Sequence, residues 1–184
     1  MNERVYGGAA HRLRREERLG RLEIEKVVEL CTEKREINSL LDVGTGTGLF
    51  AEAFNNNEIA VSGVDLNAEF IELAKQYLPQ SNLQIAYAEQ LPFKDNSFDA
   101  AFFGLAFHEV DDFEKAMEEA YRVASKYAFI LEWQYKEQEI GPPFSHRLKP
   151  DFISELAKKA GFSKIQEQKL THLVLYSFEK NEAA

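Results

Sequence analysis

The feature that most constrains the fold of this chain is a rhythm in which short, almost wholly apolar runs alternate with segments of helical spacing. Ile37 to Val43, Glu58 to Val64, Leu83 to Ala86, Phe98 to Leu105 and Tyr127 to Trp133 read as strands. Between them the spacing predicts helices over Leu49 to Phe54, from an Asn67 N-cap to Leu78, and after the caps Asp111 and Asp112. Phe70, Ile71, Ala74, Tyr77 and Leu78 share one face of the second helix. Phe113, Ala116, Met117, Ala120 and Val123 share one face of the third. A strand that is apolar along its whole length has no side to give to water, so both sides must be covered. Strands joined through helices pair in parallel. The tail departs from this rhythm. Pro150 to Ala160 is a helix stopped by Gly161, and Ser163 to Lys169 and His172 to Phe178 are linked too tightly to pair other than antiparallel. The expected fold is α/β, a doubly wound, mostly parallel sheet with a C-terminal antiparallel hairpin and helices on both faces.

Residues 1–10 show little pattern and read as an arm. From His11 to Lys34, apolar positions at Leu19, Leu22, Val27, Val28 and Cys31 predict two helices meeting near Gly20. The expected organisation is one compact unit, with residues 1–36 as an arm and helices covering a site carried by residues 37–184.

Leu40-Leu41-Asp42-Val43-Gly44-Thr45-Gly46-Thr47-Gly48-Leu49-Phe50 is a strand end, a glycine turn and a helix start. Glycines suit tight turns and close approach of a ligand to the backbone, and the helix start presents amide donors. Spacing decides among the ligands that use such loops. A dinucleotide fingerprint needs its last glycine where Leu49 stands, and a phosphate-binding P-loop needs a Gly-Lys-Ser/Thr ending that is absent. Asp42 beside the loop repels a diphosphate and attracts a cation. Asp65, at the end of the next strand, is placed to accept hydrogen bonds from a ribose hydroxyl pair. A nucleoside with a cationic, amino-acid-like tail satisfies both carboxylates, and S-adenosylmethionine is such a molecule.

Leu41 to Gly48, Val64-Asp65-Leu66, Ala88-Glu89-Gln90-Leu91-Pro92-Phe93 and Asn96-Ser97-Phe98-Asp99 resemble, in order, the successive motifs of class I S-adenosylmethionine-dependent methyltransferases. The branch they are most similar to is that of the ubiquinone/menaquinone-biosynthesis methyltransferases. The resemblance spans about residues 38 to 133 and implies a Rossmann-like, seven-stranded sheet. It also implies that Asp42, Gly44, Thr45, Gly46 and Gly48 hold the methionine end, that Asp65 holds the ribose, that Leu66 packs on the adenine and that Ala88 and Glu89 flank its edge. Tyr87 stands where the family often has an acidic residue, which leaves the contact to the adenine amino group open between Tyr87 and Glu89.

Ligands of open α/β sheets bind beyond the C-terminal strand ends. His108 and Glu132 follow the fourth strand and end the fifth, which are neighbours in the resembled family, so both can face one cleft. A histidine there can take a proton from an acceptor. Glu109 is assigned to capping the turn at Asp111. Trp133, with Tyr135, can offer a ring face to a cation. In the long connection from Gln134 to Lys149, Gly141-Pro142-Pro143 precedes His146 and Arg147, which would form a cationic tip toward the acceptor. The N-terminal arm, with Tyr6 and His11, can close as a flap.

Composition narrows the function. With 184 residues and a net charge of −9, extended contact with nucleic acid is disfavoured. There is no run long enough to span a membrane, and a single cysteine, Cys31, fits a reducing cytoplasm. No metal is expected, because the histidines and carboxylates lack ligand spacing. The expected activity is methyl transfer from S-adenosyl-L-methionine to a small-molecule acceptor, releasing S-adenosyl-L-homocysteine. A catalytically silent module binding the same nucleoside is the alternative. The oligomeric state is open between monomer and homodimer.

Overall fold

A computed structural model describes residue 6 and residues 8–181. Residues 1–5 and 7 of the expected arm lie outside the described residues. A turn of 3-10 helix (Ala10–Arg14) leads into α1 (Glu16–Leu22) and α2 (Ile24–Thr32). The break between them falls at Glu23, in the left-handed region at φ 48°, and not at Gly20, which sits inside α1 with open space beside it. Then follow β1 (Ser39–Val43), α3 (Leu49–Asn55), β2 (Ala60–Asp65), α4 (Ala68–Tyr77), β3 (Asn82–Ile85), β4 (Phe98–Gly104), α5 (Phe113–Val123), β5 (Ala124–Trp133), α6 (Pro150–Ala160), β6 (Lys164–Lys169) and β7 (Leu173–Glu179).

The seven strands form one sheet in the order β3-β2-β1-β4-β5-β7-β6. The first five are parallel, and β7 runs antiparallel to both β5 and β6. The chain is therefore Rossmann-like, with the antiparallel hairpin at its C-terminus. The order reverses between β1 and β4, and the crevice at such a reversal is where open α/β sheets bind ligands.

Alternation along each strand builds two apolar layers. Leu41 and Val43, Ala101 and Phe103, Ala128 and Ile130 point to the side covered by α5 and α6. Leu40, Ala100 and Phe102, Phe129 and Leu131 point to the side covered by α2, α3 and α4. The N-terminal helices share this second layer through Leu22, Val27, Val28 and Cys31, and burial pushes the Cys31 thiol up. Asn67 caps α4 by accepting the amides of Glu69 and Phe70, and Gly161 ends α6 at φ 112°. Tyr77 is not part of the inward face of α4. It is exposed, and the Arg14 guanidinium lies 3.5 Å from its ring centre.

Phe102 is fully buried between the rings of Phe50 and Phe54, at centroid distances of 5.2 and 5.1 Å. Phe102→Ala is expected to cost about 3–5 kcal/mol of unfolding free energy, the usual loss for an aromatic truncated in a closed core. Urea unfolding followed by circular dichroism measures it.

Candidate functional site

The glycine loop after β1 is held from within. Gly44 and Thr45 both donate their amides to Val64 O, at 2.8 and 2.9 Å. Gly46 N donates to Asp65 Oδ2 at 2.8 Å, and Gly48 N to Thr45 O at 2.9 Å. The amides of Gly44, Thr45, Gly46 and Gly48 are therefore spent within the turn and on the end of β2. Gly44, Gly46 and Gly48 all have positive φ. A Cβ on Gly44 would stand 2.3 Å from Ala106 Cβ at the end of β4, so glycine lets the two strand ends approach. A Cβ on Gly48 would meet Ala74 and Leu78 of α4, which makes Gly48 a packing position rather than part of the cavity wall.

Asp42 also differs from its expected place. It is 1% exposed beneath the loop, and its Oδ2 accepts the Thr45 hydroxyl at 2.7 Å. Among the described residues it does not line either cavity at the strand ends. The reason is strand alternation, which points Asp42 to the α3 side along with Leu40. Burial holds its carboxyl up at about 7, with the Thr45 hydroxyl opposing and the charge of Asp65 adding to the rise.

Two cavities open at the switch point. The larger, of about 730 Å³, is walled by the glycine loop from Gly44 to Thr47, by Asp65, by Gly104 to Ala106 and His108, and by Trp133. The smaller, of about 90 Å³, lies between Leu66 and Ala88, with Glu89 on its wall. Asp65 and Gly44 border both, so the two cavities meet at the end of β2. One oxygen of Asp65 accepts Gly46 N and the other Asn67 N at 2.8 Å; burial raises its pKa and these amides oppose the rise. Leu66 is half exposed, as an apolar shelf awaiting a flat ligand would be.

Glu89 lines the smaller cavity and also takes the capping role expected of Glu109. Glu89 Oε1 accepts the amides of Asp111 and Asp112, at 2.8 and 3.2 Å, and Asp112 caps α5. Glu109 instead faces both cavities and accepts Tyr6 N at 3.0 Å, and burial raises its pKa. Tyr6 thus reaches over the site, its ring 6.2 Å from that of Phe70; the His11 side chain lies outside the described residues.

His108 and Glu132 come together as a buried pair. His108 Nδ1 lies 2.9 Å from both Glu132 oxygens, and Glu132 also accepts the His108 amide at 2.9 Å and the Trp133 amide at 3.2 Å. A carboxylate only accepts, so Nδ1 carries a proton toward Glu132, and in the neutral form of the ring the lone pair is on Nε2. Nε2 is 3.8 Å from Glu109 Oε1.

The connection after β5 folds over the far wall. Ile140, Gly141, Pro142, Pro143 and His146 line the larger cavity beside Trp133. Arg147 does not form a cationic tip. It is 5% exposed, and its guanidinium donates to Pro142 O, Gln134 O, Lys136 O and Ile140 O, stapling the loop to itself. Tyr135 packs on Phe144 at the surface, away from the cavity wall.

Residues 41–131 match the family model described as a methyltransferase domain. Over 93 residues the chain is 36% identical to the ubiquinone/menaquinone biosynthesis C-methyltransferase UbiE of Geotalea daltonii, covering 46% of this chain and 40% of that protein. Over 127 residues it is 32% identical to the malonyl-[acyl-carrier protein] O-methyltransferase of Erwinia billingiae, covering 69% and 50%. The chain therefore spans half or less of the length of these curated relatives. The crystal structure of an S-adenosylmethionine-dependent methyltransferase from Aquifex aeolicus superposes with a TM-score of 0.74 at 24% identity, over 92% of this chain and 95% of that one, which shows the fold. The chain belongs to the class I S-adenosylmethionine-dependent methyltransferase family, on the UbiE-like branch.

The residues present fit the donor this family uses. Thr47 lines the larger cavity with a buried hydroxyl that has no partner among the described residues, a polar group left for a ligand. Asp65 stands where the two cavities join, with carboxylate lone pairs beyond those taken by the amides. Sequence reasoning missed Thr47, Glu109 and Arg18 on these walls. For Thr47 a signal existed, since it lies inside the glycine loop. For the other two, the walls form only when distant segments meet.

Two outcomes are expected. Asp65→Ala should weaken S-adenosylhomocysteine binding by about 1.5–3 kcal/mol, the scale for losing a charged acceptor, as read by calorimetry. The Asp42 carboxyl titrates near the ordinary value of about 4 when unfolded and at about 7 when folded. Between those values the folded chain binds the extra proton, so this group's contribution to stability falls as pH rises through the window. Urea unfolding of Asp42→Asn alongside the natural chain should show the variant gaining relative stability from about pH 4 to about pH 7. Parallel stability curves would mean an unshifted carboxyl.

Proposed function

We propose that this chain methylates a small-molecule acceptor whose reacting atom, carbon or oxygen, loses a proton to His108. The observation that carries this reading is the His108–Glu132 pair: an imidazole oriented through Nδ1 by a buried carboxylate, at the wall of a cavity shared with the glycine loop. Bound there, the donor supplies an electrophilic methyl carbon on a positively charged sulfur and leaves as S-adenosylhomocysteine. Gly44, Thr45, Gly46 and Thr47 would border its methionine end, Asp65 its ribose, and Leu66 with Ala88 and Glu89 its adenine. Asp42 would act from beneath by shaping the loop through Thr45. His108 Nε2 takes the acceptor's proton, and Glu132 stabilises the resulting imidazolium without leaving its three hydrogen-bond donors.

The acceptor wall is formed by Trp133, Ile140, Pro142 and Pro143, with His146 at its edge. Such a wall favours a flat apolar body carrying one acidic O–H or C–H group. The UbiE relatives act, by their names, in ubiquinone and menaquinone biosynthesis, and this supports a hydroxylated aromatic or quinol ring as the acceptor class. Residues 1–36 are part of the proposal as the cover of the site, supported by the bond from Tyr6 to Glu109. A reducing, cytoplasmic setting is supported by the single buried cysteine.

The test combines methyl-labelled donor with a panel of hydroxylated aromatic and quinol acceptors. Label should pass to at least one acceptor, and His108→Ala should slow that transfer by about a hundredfold or more while leaving S-adenosylhomocysteine affinity within about threefold. Equal transfer by the variant would remove His108 from the chemistry.

A further inference from the structure

Among the described arginines that are buried or half-buried, Arg18 is set apart by what surrounds it. Arg14 pairs with Glu52 at 2.7 Å, Arg21 with Glu17, and Arg122 with Glu119 and Asp95. Arg35 is bound to the carbonyls of Leu30 and Cys31, and Arg147 to four carbonyls of its own loop. Arg18 makes one side-chain hydrogen bond among the described residues, from Nη1 to Leu13 O at 2.8 Å, and there it has no carboxylate within ion-pair distance. Yet its side chain lines the larger cavity, and burial lowers its pKa. A desolvated guanidinium has several donors in a fixed fork, and a charge left in that state is costly until an anion meets it.

The segment that carries Arg18 is mounted on the glycine loop. Arg14 Nη2 donates to Thr47 O at 2.8 Å, and Leu13, whose carbonyl holds Arg18, lies so close to Gly46 that a Cβ there would touch its Cδ1 at 3.4 Å. The same cavity wall holds the carboxylates of Asp65 and Glu109, and the field of Glu109 reaches Arg18. A polyanion is repelled by that pair of carboxylates. A ligand end with one negative and one positive group suits a wall that offers both signs. Trp133, Ile140 and Pro142, the acceptor wall, belong to a different part of the fold.

We infer that Arg18 is the carboxylate anchor of the cavity and binds the amino-acid end of the methyl donor, with Glu109 facing the ammonium of the same end. This rests on the donor reading above. It gives the N-terminal helix a ligand-binding function that its amphipathic pattern does not announce. The bond is a charge-assisted one between a planar fork and a carboxylate.

Calorimetry with two ligands tests it: S-adenosylhomocysteine, and its decarboxylated analogue, which keeps the thioether and the amine. Arg18→Ala should weaken S-adenosylhomocysteine roughly ten- to a hundredfold while changing the analogue by less than about threefold. Arg18→Lys, which keeps the charge but not the fork, should fall between. Thermal unfolding of each ligand-free variant reports whether the fold is intact, and Arg18→Lys keeps the comparison available if the alanine variant is unstable. Equal losses for both ligands, or no loss for either, would overturn the assignment of Arg18. Failure of the natural chain to bind either ligand would instead overturn the donor reading beneath it.

Discussion

The hydrogen bonding that ties the glycine loop to the end of β2 is the constraint on which the site depends. Val64 O takes two of the loop's amides and Asp65 takes a third, so the end of β2 is fastened to the turn after β1. This fixes the place of Asp65 at the junction of the two cavities. Thr45, tied to Asp42 below, sets the same turn from the other side.

The second constraint is the meeting of β4 and β5. Their pairing brings Gly104 opposite Leu131, and the chain then turns so that His108 returns over Glu132. The carboxylate receives two backbone amides besides the imidazole, which keeps its position independent of the ring. A histidine held this way would need no strong activation to serve as the proposed base, because displacement at a sulfonium gains most from orientation and exclusion of water. The loop stapled by Arg147 provides that exclusion: it holds Pro142 and Pro143 against the cavity with its own carbonyls satisfied.

The inner parallel strands were legible in the sequence because each is largely buried, which writes a near-continuous apolar run into the chain, whereas edge strand β3 alternates between buried Leu83 and exposed Ile85. The α6 helix was legible to the residue, since Pro150 and Gly161 punctuate it physically. The break at Glu23 was not, because a glutamate in the left-handed region leaves no compositional mark and Gly20 offered a false one. In the site, the glycine loop and Asp65 could be found from strand ends, and the His108–Glu132 pair from strand ends together with the strand neighbours that the family resemblance implies. Arg147, Glu89 and Glu109 could not be sorted, because their roles depend on which amides and carbonyls the folded chain leaves within reach. A charged side chain in a loop reads as solvent-facing until the loop closes around it.

The distribution of charge ties these points together. The chain carries a net charge of −9, and four carboxylates, Asp42, Asp65, Glu109 and Glu132, converge on the strand ends. Burial raises the pKa of the first three, so assembling them costs folding energy that a neutral site would not. Each is held by amides or a hydroxyl, and the concentration of negative potential lies where a cationic sulfur would be placed. That potential favours the charged donor over its neutral product, so the same field that draws the donor in weakens the hold on what remains after transfer. Arg18 offsets the field locally, which confines the preference to the sulfur and ammonium and spares the carboxylate of the same ligand.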